Sequence, residues 1–346
     1  MKKLLYSCVL GSSVIYVGDL GSLWREIPEA KKAPIITSRQ VASLYPWLLV
    51  GKKALVIPDS PEVKSLDRVK ELYQFFLDLK LDRSSLVIGA GGGAVCDLVG
   101  FAASTFLRGI AFVLVPTTLL AQVDAAVGGK TALDLGLIKN VIGTFALPQA
   151  TFVDPQFILT LPEEEILNGL AEITKHALIA SSDLFFFLQE NWPRLLSRDL
   201  KVMERVILAS LQIKTSVVSQ DAREAGSRRL LNLGHTFAHA VEKEVGLGHG
   251  QAVAWGLVLA TKISSLLGYL DQVEAELILS FLFRAFPFLW RLKLAPSQLE
   301  IILARLEADK KRQANEINFV LLRGLGQAEI KRLPLNELRR LVRDLC

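Results

Sequence analysis

The sequence has few cysteines, no long apolar segment and no block of like charge. Its three cysteines, Cys8, Cys96 and Cys346, are odd in number and far apart, which argues against a disulfide framework and favours a reducing, cytoplasmic compartment. No uncharged apolar run reaches about 18 residues, so we expect no membrane-spanning segment. The net charge of +5 is scattered along the chain. This pattern disfavours nucleic acid as a partner and leaves an anionic small molecule open.

Residues 1–10 superficially resemble the start of a secretory signal. Their apolar run is interrupted by Tyr6, Ser7 and Cys8, and residues 14–17 resume a β-branched pattern typical of a strand. We interpret this segment as a first hairpin. With 346 residues, half of them apolar, the chain is long enough for two domains with large cores.

Short apolar runs alternate with helical periodicity in the first half of the chain. Strands are predicted at residues 34–37, 54–58, 86–88 and 111–115, and helices at residues 41–45, 63–80 and 94–104. This alternation indicates a parallel α/β sheet. Beyond about residue 155 helical periodicity dominates to the C-terminus, and Pro162 with three following glutamates marks a helix start. We therefore predict a Rossmann-like α/β domain over residues 1–160, a mostly α-helical domain over residues 161–346, and an active site in the cleft between them.

Residues 89–93 read Gly-Ala-Gly-Gly-Gly between a predicted strand and a predicted helix. Glycine lets the backbone approach a phosphate, and the N-terminus of the helix offers free N–H groups. The spacing differs from the G-x-G-x-x-G fingerprint, so a simple tight turn fits equally well. Asp97 lies in the first turn of the helix. Thr117 and Thr118 end the next strand, where they could bind the same ligand.

Further polar groups follow in residues 122–140. Lys130 comes after two glycines, and Lys139 precedes Asn140, so we expect two cations and an amide on flexible backbone. Surface lysines are usually only solvated. Together with Asp124, however, these groups favour a site for an anionic, hydroxylated ligand.

Three of the four histidines lie within one short segment. His235 and His239 are spaced i, i+4, which places both rings on one helix face. His249 opens the next apolar run, where a chain reversal could return it to His235. Converging neutral imidazoles suit a divalent metal, most often zinc. An ordinary polar helix face is the more common outcome, and Thr236 stands where a metalloprotease helix has glutamate.

A carboxylate upstream could complete such a site. Glu172 and Lys175 are spaced i, i+3 on a predicted helix, and an exposed pair of this kind contributes only about 0.2–0.5 kcal/mol. The helix is otherwise apolar, with Leu170 and Ile173 beside the pair, so a glutamate without a partner would be costly there. Glu172 is therefore the candidate for a third metal ligand.

Eight ordered blocks carry a resemblance over nearly the whole chain. They are GGGAVCDL from Gly91, RG at Arg108, PTTLL from Pro116, QVDAAVGGKT from Gln122, KNVIG from Lys139, GLAEITK from Gly169, NLGHTFAH from Asn232 and HGQAV from His249. In these blocks the chain resembles the 3-dehydroquinate synthase family of sugar-phosphate cyclases. The resemblance implies an NAD-dependent, zinc- or cobalt-dependent lyase. Its reaction would convert 3-deoxy-D-arabino-heptulosonate 7-phosphate to 3-dehydroquinate and phosphate, in the shikimate pathway to chorismate and the aromatic amino acids.

The resemblance also implies roles for individual residues. The metal ligands would be Glu172, His235 and His249. The cofactor-binding residues would be Asp59, Lys64, Gly92, Gly93, Asp97, Thr117, Thr118, Lys130, Lys139 and Thr160, with Asp59 and Lys64 towards the nucleoside end. The substrate-binding and catalytic residues would be Asp124, Lys130, Asn140, Lys175, Lys214, Arg228, Asn232 and His239. Arg108 would reach across the interface of a homodimer, and Lys310 or Lys311 would close over the substrate.

The implied reaction proceeds by transient oxidation of an alcohol by NAD, phosphate elimination, return of the hydride, and intramolecular aldol closure. The chain departs from the family pattern in several places. Pro61 stands at the glutamate position of G-E-x-x-K, which changes the expected contact to the NAD ribose, Ala238 replaces the second glycine of G-H-T-x-G-H, and the connection from His239 to His249 and the residues before Lys139 also differ. The alternatives are another sugar-phosphate cyclase, a metal-dependent polyol dehydrogenase, or a non-catalytic protein that has kept the fold.

Overall fold

A computed structural model describes residues 1–136, 138–307, 312–313 and 316–345. It leaves out the side chains of Trp24, Pro61, His239, Lys243, Leu306, Glu307, Arg312 and Gln313. The chain forms two compact units. The first contains Met1–Ile166 and Leu200–Arg223, and the second contains Leu167–Asp199 and Glu224–Cys346. The predicted boundary at residue 160 stays a prediction, and the return of Leu200–Arg223 to the first unit was not predicted.

A seven-stranded sheet organises the first unit, with strand order β1-β2-β9-β6-β5-β3-β4. The strands are β1 (Lys2–Cys8), β2 (Gly11–Val17), β3 (Ile35–Ser38), β4 (Ala54–Ile57), β5 (Leu86–Gly91), β6 (Ala111–Pro116) and β9 (Ala150–Val153). β1 and β2 form an antiparallel hairpin, and the other neighbouring strands pair in parallel. The predicted hairpin and the predicted parallel sheet are both confirmed.

Apolar residues cover both faces of this sheet, as expected of parallel strands that read as continuous apolar runs. The helices of the first unit are α1 (Leu23–Glu26), α2 (Arg39–Leu44), α3 (Leu66–Asp78), α4 (Gly93–Thr105) and α7 (Leu200–Gln220). Val87 joins a core cluster with residues of α3 and α4, and Ile88 joins a second cluster with residues of α1 and α2. The predicted strand at residues 54–58 is present, but it lies at the sheet edge, and Val56 is exposed.

A two-stranded antiparallel hairpin lies between β6 and β9 in the chain. It consists of β7 (Lys130–Leu135) and β8 (Ile138–Phe145). Lys130 pairs with Phe145 in this hairpin, so the prediction of a loop at Lys130 is wrong. Lys139 and Asn140 lie where the strand register is irregular, and Asn140 has a positive φ of 54°.

Helices dominate the second unit, as predicted. They are α5 (Glu163–Ala180, whose first turn belongs to the first unit), α6 (Ser182–Leu196), α8 (His235–Val245), α9 (His249–Leu266), α10 (Gln272–Ala285), α11 (Pro296–Glu307) and α12 (Leu335–Leu345). A sheet of β10 (Arg312–Gln313), β11 (Glu316–Gly324) and β12 (Gln327–Pro334) was not predicted. Residues 319–322 are four consecutive buried apolar residues, and such a short run fits a buried helix and a buried strand alike. Across the described residues, no helix combines the length and hydropathy needed to cross a bilayer.

Candidate active site

The three predicted metal ligands come from three helices of the second unit. Glu172 lies in the middle of α5, whereas His235 and His249 are the first residues of α8 and α9. Nε2 of His249 is 3.0 Å from Oε1 of Glu172, and Nε2 of His235 is 3.3 Å from the same oxygen. One ligand atom from each residue falls within 4.8 Å of the other two. The structure therefore brings the predicted set together on one buried carboxylate oxygen.

Glycines explain how the chain places the two histidines side by side. Gly234, directly before His235, has a left-handed φ of 77°, which favours glycine. A Cβ on Gly256 would overlap the carbonyl group of Gly234, so the backbones of α8 and α9 touch there without side chains between them. Gly246 ends α8 with a φ of 71°. The predicted chain reversal is confirmed, and the two imidazole centroids lie 5.8 Å apart.

The second ring nitrogen of each imidazole faces another hydrogen-bond acceptor. Nδ1 of His235 lies 3.3 Å from the carbonyl oxygen of Leu233, and Nδ1 of His249 lies 3.8 Å from Oε2 of Glu242. An Nδ1–H that faces such an acceptor orients the ring, and Nε2 can then coordinate a metal once it has lost its proton. Each ring therefore presents Nε2 towards Glu172.

The second oxygen of Glu172 pairs with Lys175, and both side chains are buried. Burial raises the pKa of Glu172, but the charges of Lys175 and His235 and the hydrogen bonds from both histidines outweigh it and hold this pKa well below its usual range. Burial lowers the pKa of His235. Burial also acts to lower the pKa of His249, yet the hydrogen bonds and charges of Glu172 and Glu242 raise it to about 10. The centre is thus an ionised carboxylate surrounded by nitrogen groups.

This donor set fits a divalent transition metal. Two imidazole nitrogens with one carboxylate oxygen form a known ligand set of catalytic zinc sites. Ligands at roughly 2.0–2.1 Å from a tetrahedral zinc ion lie about 3.3 Å from one another, which matches the 3.0 and 3.3 Å separations from Glu172. An ordinary polar helix face does not describe His235, which is buried and converges with His249 on the buried Glu172.

Two other predicted site residues of the second unit, Arg228 and Asn232, lie in the short helical turn Ser227–Asn232 before α8. Arg228 is buried, and Nδ2 of Asn232 donates to Oε1 of Glu224. Nε of Arg229 donates to the carbonyl oxygen of Glu224 at 3.2 Å, and Glu224 itself has a positive φ of 59°. Glu224 was not predicted. The side chain of His239 and all of Lys310 and Lys311 lie outside the described residues.

A cleft of about 480 Å³ lies in the first unit, at the carboxyl ends of β3, β5 and β6. Ligands of open parallel sheets bind at such ends. Five predicted cofactor residues line it, namely Asp59, Gly92, Thr117, Thr118 and Thr160. Tyr45 and Gln40 also line it, and the hydroxyl of Tyr45 shares a hydrogen bond with Thr160. Neither was predicted, because a tyrosine at helical spacing looks like an ordinary core residue.

The glycine segment lets other groups approach the backbone closely. Gly92 caps α4 with an ordinary φ of −70°. Glycine therefore suits this position because it lacks a side chain, and not because of its backbone conformation. A Cβ on Gly92 would lie 3.3 Å from the Thr118 methyl group, and one on Gly93 would lie 3.0 Å from Ala125. Glycine at these two positions therefore lets Thr118 and Ala125 pack closely against the start of α4, and Gly92 lines the cleft together with Thr118.

Asp97 and Lys64 form a half-buried pair beside this helix start. Nζ of Lys64 donates to Oδ2 of Asp97 at 2.6 Å and also to Oδ1 of Asn140. Burial raises the pKa of Asp97 to about 6, against the attraction of Lys64. Lys64 thus connects a predicted cofactor residue with a predicted substrate residue.

A second carboxylate of the first unit is held by a buried lysine. Asp124 lies on a π-helical turn, Ala121–Ala125, and Lys214 of α7 donates to its carboxylate and, at 2.5 Å, to its carbonyl oxygen. Lys130 and Lys139 are exposed on the β7–β8 hairpin. Arg108 is exposed in a tight turn where its φ is 67°.

Comparison with known proteins decides the family. The model of the 3-dehydroquinate synthase N-terminal domain matches residues 54–168, and that of the C-terminal domain matches residues 169–312. A 3-dehydroquinate synthase of Desulforamulus reducens is 39% identical over 337 residues, which cover 94% of this chain and 92% of the relative. The chain belongs to the 3-dehydroquinate synthase family. The resemblance inferred from the eight sequence blocks is thereby confirmed.

Solved structures show that the fold of this family member is that of sugar-phosphate cyclases. A 2-deoxy-scyllo-inosose synthase, solved with carbaglucose-6-phosphate, NAD⁺ and Co²⁺, has a TM-score of 0.87 at 23% identity and covers 99% of this chain and 100% of its own. A 2-epi-5-epi-valiolone synthase from Streptomyces hygroscopicus, solved with NAD⁺ and Zn²⁺, has a TM-score of 0.85 at 26% identity and covers 100% and 98%. The first of these likenesses concerns the fold alone.

Proposed function

We propose that this protein converts 3-deoxy-D-arabino-heptulosonate 7-phosphate to 3-dehydroquinate and phosphate, as a cytoplasmic lyase of aromatic amino acid biosynthesis. The observation that supports this proposal most strongly is that the buried Glu172 carboxylate faces His235 and His249 in a member of this family. A protein that had kept only the fold would have no need for two imidazoles and a buried carboxylate at metal-ligand separations. The non-catalytic alternative is therefore disfavoured.

In this proposal one group of site residues binds a metal ion and another group binds NAD. Glu172, His235 and His249 would hold a zinc or cobalt ion. NAD would occupy the cleft of the first unit, with its pyrophosphate at the N-terminus of α4. The predicted cofactor residues around it are Asp59, Lys64, Gly92, Gly93, Asp97, Thr117, Thr118, Lys130, Lys139 and Thr160. When bound, the metal supplies a Lewis acid for an alcohol oxygen, and NAD supplies a reversible hydride acceptor.

The chain's own groups then hold charge and protons in place. Lys175 fixes one oxygen of Glu172 and so keeps the other directed at the imidazoles. Lys214 donates hydrogen bonds to Asp124 and so holds its carboxylate in place, which suits a carboxylate that takes a proton beside the reacting carbon. Loss of that proton allows phosphate to depart with the electrons of its carbon–oxygen bond. The carbocycle closes afterwards by an aldol step.

Basic and amide side chains suit the two anionic groups of the proposed substrate. The predicted set is Lys130, Asn140, Lys175, Lys214, Arg228, Asn232, His239 and Lys311. Arg228 is buried, and a buried guanidinium suits bidentate binding of a carboxylate or phosphate. We also propose a homodimer to which Arg108 contributes, as the family resemblance implies, and Arg108 is exposed. Sedimentation of the wild type and of Arg108→Ala tests this assembly.

A substrate panel tests the proposed function against the related cyclases. The metal-loaded protein is incubated with NAD and either the heptulosonate phosphate or another sugar phosphate, glucose 6-phosphate among them, and products are identified by NMR. We expect 3-dehydroquinate and phosphate from the first substrate and no carbocycle from the others. A carbocycle formed only from another sugar phosphate would identify a different cyclase. Net NADH formation from a simple polyol would identify a dehydrogenase.

Replacement of Gly92 by alanine tests the position of NAD. The new methyl group would lie 3.3 Å from the Thr118 methyl group, inside the cleft that we assign to the cofactor. Because φ at Gly92 is −70°, the backbone accepts alanine without strain. We expect NAD affinity, measured by calorimetry, to fall about tenfold or more, since the backbone can no longer approach the pyrophosphate. Unchanged affinity would exclude this placement, and unchanged thermal unfolding without NAD is the control.

Asp97→Asn tests the ionisation of the buried carboxylate beside the start of α4. Because burial raises the folded-state pKa of Asp97 from 3.8 to about 6, its contribution to folding is fully present below the lower value and is lost as pH rises through the higher one. We therefore expect the free energy of unfolding of the variant, relative to that of the wild type, to rise between about pH 4 and pH 6. Above pH 6 this gain should level off at up to roughly 3 kcal/mol. Urea unfolding across this range measures the difference. Asp67→Asn, an exposed site on α3, controls for loss of one charge, and a pH-independent difference would contradict the expectation.

A further inference from the structure

Asn168 connects the helix that carries Glu172 to the helix that begins with His249. It is a buried residue of α5, and its Oδ1 accepts the backbone N–H of Gly250 at 2.8 Å. Gly250 directly follows His249 in the first turn of α9. We propose that Asn168 is a positioning residue of the metal site, which holds His249 at the correct distance from Glu172. This inference rests on the proposed function.

The spacing on α5 couples the two side chains. Asn168 and Glu172 are four residues apart on one helix, so they lie on the same face, one above the other. Asn168 engages the residue after His249, while Glu172 engages the His249 ring at 3.0 Å. The start of α9 is therefore fixed to α5 at two successive turns, once through its backbone and once through its first side chain.

The start of α9 needs an acceptor from elsewhere in the chain. The first N–H groups of a helix have no partner within the helix, and the capping residue here is Gly248, which has no side chain to accept them. Gln251 accepts the N–H of Gly248 at 3.1 Å. Asn168 accepts the backbone N–H of Gly250, which lies 82 residues further along the chain. Asn168 therefore caps α9 from another helix.

Close packing leaves this contact little freedom. A Cβ on Gly250 would overlap the backbone of Asn168, so α5 and α9 touch at this point with only hydrogen atoms between them. The side chain of His249 is 28% exposed, and packing therefore does not fix its ring completely. An anchored backbone at the next residue supplies the missing constraint. Groups beyond the ligands that orient them typically change metal affinity by about 10- to 100-fold.

Binding of Co²⁺ to three variants tests the proposal. Asn168→Ala removes the acceptor, and Asn168→Asp retains an acceptor oxygen at a helix N-terminus, where negative charge is tolerated. Asn191→Ala is the matched control, because Asn191 is a buried asparagine of α6 whose Nδ2 donates to the carbonyl oxygen of Phe187 at 3.1 Å. The measurements are the Co²⁺ dissociation constant, by competition with a chelating dye, the visible spectrum of the bound ion, and thermal unfolding without metal.

We expect Asn168→Ala to weaken Co²⁺ binding by about tenfold or more and to alter the visible spectrum. Asn168→Asp should keep both close to the wild type, and Asn191→Ala should lower thermal stability without changing either. Equal effects of Asn168→Ala and Asn191→Ala on affinity would overturn the positioning role, because they would show only general destabilisation. Absence of Co²⁺ binding by the wild type would instead overturn the metal site of the proposed function itself.

Discussion

We expect replacement of Glu172 by glutamine to abolish metal binding and to lower turnover by roughly 10³-fold or more, since Lewis-acid catalysis is worth several kcal/mol and each 1.36 kcal/mol is a factor of ten. Glutamine keeps the shape of the side chain but removes the charge that faces two imidazoles and Lys175. It also leaves the Lys175 ammonium buried without that carboxylate. The loss is therefore expected in metal content, activity and stability together.

Metal content after dialysis and turnover with excess zinc measure this effect. Glu164→Gln is the matched control, because Glu164 is exposed in the first turn of the same helix and has no place in the proposed centre. It should bind metal and turn over substrate like the wild type. If Glu172→Gln retained metal and kept its activity within tenfold, Glu172 would not be a ligand.

Replacement of Lys175 by methionine lowers the stability of the metal-free protein by about 3–5 kcal/mol, because it leaves Glu172 as a buried charge without its cation. Both side chains are almost fully buried in the present structure, so water cannot replace the lysine. A divalent ion on the other carboxylate oxygen supplies positive charge to the same group. We therefore expect added zinc to raise the melting temperature more in the variant than in the wild type. Turnover falls as well, since Lys175 is a proposed substrate contact.

Urea and thermal unfolding with and without zinc measure this coupling. Lys262→Met on α9 is the control, a half-buried lysine of the same unit. Its stability change should be the same in both conditions. An equally large loss for Lys175→Met with and without zinc would contradict a shared role of Lys175 and the metal at Glu172.

Local patterns indicated the candidate metal ligands, but the histidine spacing alone favoured an ordinary polar helix face, and the family resemblance was needed to assign a metal. Glu172 stood out because a charged residue on an apolar helix requires a partner, and the glycines around residues 246–248 predicted the reversal that returns His249 to His235. The strand–glycine–helix arrangement before α4 was also predicted from a local pattern, although that pattern fits a phosphate site and a simple tight turn alike. In each case the signal lies within a few residues of the feature.

Contacts between distant segments could not be predicted in this way. Asn168 acts on the backbone of a residue 82 positions away, and nothing in its neighbours indicates that partner. The Lys64–Asp97 pair and the place of α7 in the first unit depend on tertiary packing in the same manner. The sheet of β10, β11 and β12 was missed because its buried apolar run carries no distinguishing period.

Phosphate release at a concentration of NAD far below that of the heptulosonate phosphate tests the central claim most directly. Because each hydride removed from the substrate is returned in the same cycle, we predict that phosphate and 3-dehydroquinate form one to one and continue well beyond the amount of NAD, without accumulation of NADH. A chelator should stop the reaction, and added zinc or cobalt should restore it. Phosphate release that ends after one equivalent of NAD, or that continues unchanged in the chelator, would contradict the proposed reaction and its metal centre.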